Sequence, residues 1–371
     1  MPAAVRAVFG PEAEIEPLDD RNYVFSVANA DGRFVVRLAR NEEHLATLRR
    51  EEAVAAGLRG RVDLLVPDTR LEQTPSGHVA VHRLIDGGPL TDELWAEMTE
   101  EARARLVADL VRLYHQTHAI PLEEACGWLR IEWRGQETLL ALTESTGKPC
   151  WFSPELCQEM PGRLGPHLDE GLRRVMLDAI ERFAVLPRRL EYMVFGHGDL
   201  HGYNMAIARD EVGPRLRGVF DLGCTGIMDV HEDLFRLELA ARGLLAEVVG
   251  EYEALTSLTP SPAAAGEGET GVQYGGARLP LAAAPSHCLC HRHVEVSLPL
   301  SHSGRVAAKR DTADGRGGGG VRACYPRLDR ERLDVYYRAF LLYLMDEKVR
   351  ADELADLPHL AGMLRAHTDS R

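Results

Sequence analysis

A carboxylate, a carboxamide and a second carboxylate stand close together near the middle of this chain. Asp199 and Asn204 lie in the run His197-Gly198-Asp199-Leu200-His201-Gly202-Tyr203-Asn204, and Asp221 heads Asp221-Leu222-Gly223, seventeen residues beyond Asn204. Metal-assisted phosphoryl transfer needs such a set: one group to orient a hydroxyl and two oxygen-bearing groups to hold magnesium. Met205-Ala206-Ile207-Ala208 is a short apolar run, residues 209–214 are polar with strong turn formers, and Val219-Phe220 is a second apolar run. Paired as an antiparallel hairpin, the two runs bring Asn204 and Asp221 to one open end. Asp199 lies five residues upstream of Asn204, in a loop whose Gly198 and Gly202 permit conformations that bulkier residues resist.

A different chemistry uses some of the same residues. His197, Asp199 and His201 alternate along the chain, and imidazole with carboxylate suits the zinc or iron of a hydrolytic centre. Asn204 would then have no role, and no second histidine pair of comparable spacing follows. His197 reads better as a brace for the loop backbone, and His201 as a pocket-lining side chain.

The segment from His197 to Asn204, with Asp221-Leu222-Gly223 and the trailing Gly226-Ile227-Met228-Asp229-Val230-His231-Glu232-Asp233-Leu234, resembles the aminoglycoside phosphotransferase and choline kinase-like family. The resemblance implies an α+β, two-lobed protein-kinase-like fold, with a small, mainly antiparallel β amino-terminal lobe and a larger, mainly α-helical carboxy-terminal lobe. On the matching positions it implies Asp199 as catalytic base, Asn204 and Asp221 as magnesium ligands, and Asp229 and Asp233 as structural carboxylates. It also implies ATP or GTP as cosubstrate, with Mg2+.

The elements that must position these residues begin with residues 1–86, read as the nucleotide-binding lobe. Tyr23–Val27 and Phe34–Leu38 are β-prone runs joined by the turn Asn29-Ala30-Asp31-Gly32, and Val79–Leu84 is the last strand. The hairpin resembles the family's nucleotide-binding hairpin, but Asp19-Asp20-Arg21-Asn22 stands where a glycine-rich loop is usual. Lysine occurs only at positions 148, 309 and 348. The family's strand lysine is therefore replaced, and Arg37 occupies the matching position, where a guanidinium can grip phosphate oxygens. A helix from Glu42 to Leu58 follows, with Leu45, Leu48, Ala55 and Leu58 inward. Glu51, favoured over Glu52 by counting back from Leu58, faces Arg37 as the family's helix glutamate does. Backbone groups from His82 to Leu84 are expected to meet the purine, and Asp86-Gly87-Gly88-Pro89 turns between the lobes.

Residues 87–256 and 327–371 read as the catalytic and substrate-binding lobe. Leu106, Val107, Leu110, Val111, Tyr114 and His118 fall at helical spacing, as do Leu172, Val175, Met176, Ala179, Ile180 and Phe183. His118 reads as a packing histidine, and Trp128, Trp133 and Trp151 as core residues, the alternative for them being a border to the substrate. One helix is expected from Asp233 to about Leu255 and another through Leu333, Tyr337, Phe340 and Leu344. Residues 257–326, rich in glycine and proline, read as a disordered insertion between them. His287, Cys288, Cys290, His291 and His293 in this segment lack the paired spacing of a metal site.

The formal net charge of -14 excludes a nucleic-acid partner, whose phosphates call for a basic footprint, and suits a cationic small molecule. No run is long and apolar enough to span a bilayer or serve as a secretory signal. Seven scattered cysteines, an odd number, fit reduced thiols, so a cytoplasmic location is expected. The expected function is an ATP-dependent small-molecule kinase acting on a hydroxyl of a cationic acceptor such as an aminoglycoside or amino alcohol. Glu232, Glu251, Glu253, Asp346 and Glu347 are candidate acceptor-side carboxylates. The alternatives are a nucleotide-binding pseudokinase and, more remotely, the metal-dependent hydrolase. Nothing in the sequence indicates an oligomeric state.

Overall fold

The computed structural model describes residues 2–19, 23–146, 152–187, 189–258 and 326–369. Trp151, residues 20–22 and the histidines and cysteines of the 257–326 segment lie outside these. The first part of the chain is a helix, α1 (Pro2–Phe9), and a five-stranded antiparallel sheet: β1 (Glu14–Asp19), β2 (Val24–Asn29), β3 (Gly32–Leu38), β4 (Arg70–Thr74) and β5 (Gly77–Arg83), with α2 (Glu42–Leu58) inserted after β3. The strand order is β1-β2-β3-β5-β4.

Strand alternation divides the sheet's two faces. Val27, Phe34, Val36, Val79 and Val81 pack with Val5 of α1 into a small core. Arg37 and His82 fall on the opposite face, where Arg37 pairs with Ala80 and Val35 with His82. The α2 helix starts where Asn41 accepts a hydrogen bond from the His44 backbone N–H at 2.8 Å, a side-chain cap that satisfies one of the orphan donors of the first turn. Leu45, Leu48, Ala55 and Leu58 are all buried.

The rest of the chain is mainly helical: α3 (Asp92–Glu97), α4 (Glu100–His118), α5 (Leu122–Leu129), α6 (Gln136–Thr146), α7 (Pro154–Leu164) and α8 (Glu170–Val185). Four short strands follow, β6 (Met193–Gly196), β7 (Met205–Arg209), β8 (Pro214–Val219) and β9 (Gly226–Asp229), then α9 (Val230–Leu234), α10 (Leu237–Ala240), α11 (Leu244–Leu258), α12 (Arg330–Arg350) and α13 (Leu357–Asp369). The stripes of α4 and α8 enter one large core with Tyr252 of α11 and Tyr336 of α12. Trp128 and Trp133 pack against this core, and Trp128 sits where a Cβ on Gly57 would collide with it. Among the described residues no helix is long and apolar enough to cross a membrane. The α+β, two-lobed expectation is met.

The single helix expected after Asp233 is instead three. Ala241 is extended, Gly243 has φ +83, and the turn is held from outside, because the Arg242 N–H donates to Asp92 Oδ1 at 2.8 Å. The two halves of the molecule are stitched by backbone bonds at the β7–β8 hairpin. Ile207 and Gly88 exchange bonds of 2.7 and 3.0 Å, and the Val219 N–H reaches the Leu65 carbonyl at 3.0 Å.

Candidate active site

The β7 and β8 strands pair antiparallel with Met205 opposite Val219, and the Phe220 N–H donates to the Asn204 carbonyl at 3.1 Å. Asn204 and Asp221 therefore flank the same end of the hairpin. Asn204 is buried, and its Nδ2 donates to the Asp199 backbone carbonyl at 2.8 Å, which leaves the amide oxygen as an available metal donor. Asp221 has φ 60 and ψ 65, a left-handed conformation uncommon outside glycine, and its side chain is 46% exposed. Its carboxylate is turned outward into the groove.

The two loop glycines act differently. Gly198 has φ +73, and a Cβ there would lie 2.6 Å from the Cys224 carbonyl. Gly202 has no positive φ; it is needed because a Cβ would run into the Leu90 carbonyl oxygen. His197 donates from Nε2 to the Phe220 carbonyl at 3.1 Å, while Nδ1 accepts from the Asp199 N–H at 3.3 Å. Both ring nitrogens are spent inside the loop, so His197 has no lone pair for a hydrolytic metal. His201 Nδ1 accepts from the Tyr203 N–H at 3.3 Å. Burial lowers the His201 pKa, against the pull of Asp199, so the ring is neutral at neutral pH.

Across the groove, Arg37 Nη1 meets Glu51 Oε1 and Oε2 at 2.8 and 2.6 Å and Asp221 Oδ1 at 3.4 Å. Glu52 faces elsewhere and accepts from the Leu71 N–H. Burial pushes the Glu51 carboxyl up to about 7, with Arg37 opposing and the Asp221 charge adding to the rise. A pocket between the halves is lined by Arg37, Glu51, Thr69, Ala80, His82 and Asp221. The backbone expected to meet a purine is partly committed. The Leu84 N–H donates to the Arg33 carbonyl, the Arg83 N–H to Asp68, and the His82 ring to the Arg83 carbonyl at 2.9 Å. Leu84 can thus offer a base its carbonyl and side chain, but not its N–H.

The carboxylates beyond the loop serve as anchors. Asp233, fully buried, accepts from the Gly198 N–H at 2.7 Å and from His118 Nε2 at 3.0 Å, whose Nδ1 meets the Tyr252 hydroxyl at 3.0 Å. Asp229 is gripped by His231 Nδ1 at 2.6 Å and Arg332 Nε at 2.7 Å. Burial acts to raise its pKa, but His231 and Arg332 outweigh it and hold Asp229 below the ordinary value. Two arginines that touch the site carry no motif. Arg50 donates to the Gly223 carbonyl beside Asp221. Arg236 Nη1 lies 2.5 Å from Asp199 Oδ1; one helical turn beyond Asp233, which anchors the same loop, its spacing is the signal that points to it.

An arginine held by a helix glutamate thus faces, across a pocket between the halves, a carboxylate-carboxamide-carboxylate set at a hairpin mouth. The model of the phosphotransferase enzyme family, APH, matches residues 14–268, more than half of the chain. Among solved structures the chain is similar to a GDP complex of an aminoglycoside 2'-phosphotransferase-IIIa mutant, at 14% identity and TM-score 0.59, covering 100% of this chain and 96% of that one. It is also similar to a GDP and kanamycin complex of APH(2")-IIia, at 14% identity and TM-score 0.60, covering 100% and 98%. At such identities the likeness speaks for the fold. No curated protein matches. The matched residues include the Arg37–Glu51 pair and every carboxylate from Asp199 to Asp233, and the chain belongs to the phosphotransferase enzyme family.

Proposed function

We propose that this phosphotransferase moves the γ-phosphate of a purine nucleoside triphosphate, ATP or GTP, to a hydroxyl of a cationic small molecule such as an aminoglycoside or amino alcohol. The observation that carries the reading is the meeting of Asn204 and Asp221 at one hairpin end, with Asp199 bonded to Asn204 and Arg37 within 3.4 Å of Asp221. Residues 1–86 would form the nucleotide lobe, and residues 87–256 with 327–371 the catalytic lobe.

Asp199 orients the acceptor hydroxyl and takes its proton as the new oxygen–phosphorus bond forms and the bond from the γ-phosphorus to the departing nucleoside diphosphate breaks; positioning does most of the work, because the loose transition state needs little covalent help. The Asp221 carboxylate and the Asn204 amide oxygen are hard oxygen donors of the kind magnesium takes. Magnesium held there would neutralise charge on the nucleotide phosphates. Arg37 spends Nη1 on Glu51 and Asp221 and keeps the rest of its fork for phosphate oxygens. His82 and Leu84 border the base, while His197 holds the loop and His201 lines the groove beside Asp199.

Support for a cationic acceptor comes from the net charge of -14 and from the relative crystallised with kanamycin. Three of the candidate acceptor-side carboxylates are already engaged. Glu253 pairs with Arg330 at 2.5 Å, Asp346 with Arg163 and Arg350 at 3.0 Å each, and Glu347 accepts from the Tyr343 hydroxyl. Tyr203, 70% exposed next to His201, offers a ring face to a cation instead. The test is magnesium-dependent turnover of ATP and GTP with kanamycin, choline-like amino alcohols and a macrolide as acceptors. Asp199→Asn should abolish transfer and keep nucleotide affinity; unchanged turnover would remove Asp199 from its role.

A further inference from the structure

Asp199 Oδ1 is held by a residue outside the motif. The Arg236 side chain is 9% exposed and donates from Nη1 at 2.5 Å. Its Nε is buried with no hydrogen-bond partner. The guanidinium lies 4.7 Å from the Phe340 ring centroid and 5.5 Å from that of Phe235. A buried guanidinium with an orphan N–H is costly, and the Phe235 and Phe340 contacts compensate it only as cation–π pairs. The arrangement spends stability to aim one N–H at one oxygen of Asp199.

We propose that Arg236 is a positioning residue for Asp199, set in place by Phe340 of α12; the inference rests on the reading of Asp199 as the group that orients the acceptor hydroxyl. With Oδ1 pinned by Arg236, Oδ2 is the oxygen presented to the acceptor. Asn204 Nδ2, 2.8 Å from the Asp199 carbonyl and 3.5 Å from Oδ2, restrains the carboxylate from the other side. Phe340 makes α12 part of the catalytic apparatus, although this helix lies beyond residues 14–268 that the family model covers. The same helix is tied to the site's anchors, because Arg332 grips Asp229 and the Asp329 N–H at its cap donates to His231 Nε2 at 2.7 Å.

The test uses the full chain with Mg·ATP or Mg·GTP and kanamycin. Where kanamycin is not phosphorylated, the readout is hydrolysis of the nucleotide by water, which Asp199 orients in the same way. Arg236→Met should lower kcat by about 10–100-fold, the cost of a misplaced catalytic group, with KM and Kd for nucleotide within about twofold. Arg236→Lys, which keeps one charged donor, should recover part of the loss. Phe340→Leu, which leaves no carboxylate unpaired, should lower kcat several-fold and provides the reading if Arg236→Met does not fold. Arg236→Met and Phe340→Leu both within threefold of wild type, while Asp199→Asn is inactive, would overturn the inference alone. So would an Arg236→Lys protein that has lost nucleotide binding along with turnover, since the role would then be structural. An active Asp199→Asn overturns the reading of Asp199 and the inference with it.

Discussion

Charge placement at single residues decides what this groove can do. Glu51 is nearly buried and its carboxyl is pushed up to about 7 from 4.5, so between those values the folded protein holds a proton that the unfolded chain has released. Its contribution to stability is therefore complete below pH 4.5 and is lost as pH rises to about 7. The span corresponds to about 3 kcal/mol at most. The ionised Glu51 that grips Arg37 is thus reached at a cost in stability, and the grip is complete only above neutrality. Melting temperature measured from pH 5 to 8 should fall more steeply in wild type than in Glu51→Gln; parallel profiles would refute the assignment. Arg37 and Glu51 were readable from strand position and helix counting, because both sit on regular elements with fixed periodicity. Arg236 carries only a weak signal, its three-residue spacing from Asp233, because the ring that covers it comes from α12, a contact between distant parts of the chain.

At the scale of elements, what sequence patterning revealed follows burial. The α2 helix has a capping Asn41 and an apolar stripe, and both of its ends are visible in the sequence. The β7–β8 hairpin shows as two apolar runs about a polar turn. By contrast β1 and β4 are the edges of the sheet, and their sequences, Glu14-Ile15-Glu16-Pro17-Leu18-Asp19 and Arg70-Leu71-Glu72-Gln73-Thr74, carry the charges and proline that edges tolerate. The break between α10 and α11 is marked locally only by Gly243 and is fixed by Asp92, far off in sequence, which captures the Arg242 N–H. The loop that carries Asp199 depends on such a distant contact too: the Leu90 N–H donates to the Gly202 carbonyl at 3.0 Å, and the Leu90 carbonyl occupies the space of a Gly202 Cβ. Gly202→Ala must therefore push Leu90 from the loop, costing about 1–3 kcal/mol as other overpacking does, and must displace Asn204 two residues on. A urea midpoint and nucleotide affinity both equal to wild type would show that this packing is not needed.

For the whole molecule, the question is how α11 and α12, separated in sequence by residues 259–329, come together beside the groove. Contacts among the described residues hold the two flanks together. Glu253 on α11 pairs with Arg330 at the start of α12 at 2.5 Å, Asp329 is bonded to His231, and α12 buries Tyr336, Phe340 and Leu341 in the main core. Ends fixed in this way can be joined by a short connection without moving either helix. Loop-closure cost grows only with the logarithm of length, roughly 0.6 kcal/mol per doubling, so shortening returns a little stability. A chain in which residues 259–325 are replaced by a short glycine-serine linker should therefore stay soluble, bind nucleotide as the full chain does and melt no lower. Because Phe340 would still cover Arg236, it should also keep kcat, whereas a chain ending at residue 258 should lose the fold's core and the Asp199 geometry together. Insoluble protein from the linker variant would mean that the intervening residues are a required part of the catalytic lobe.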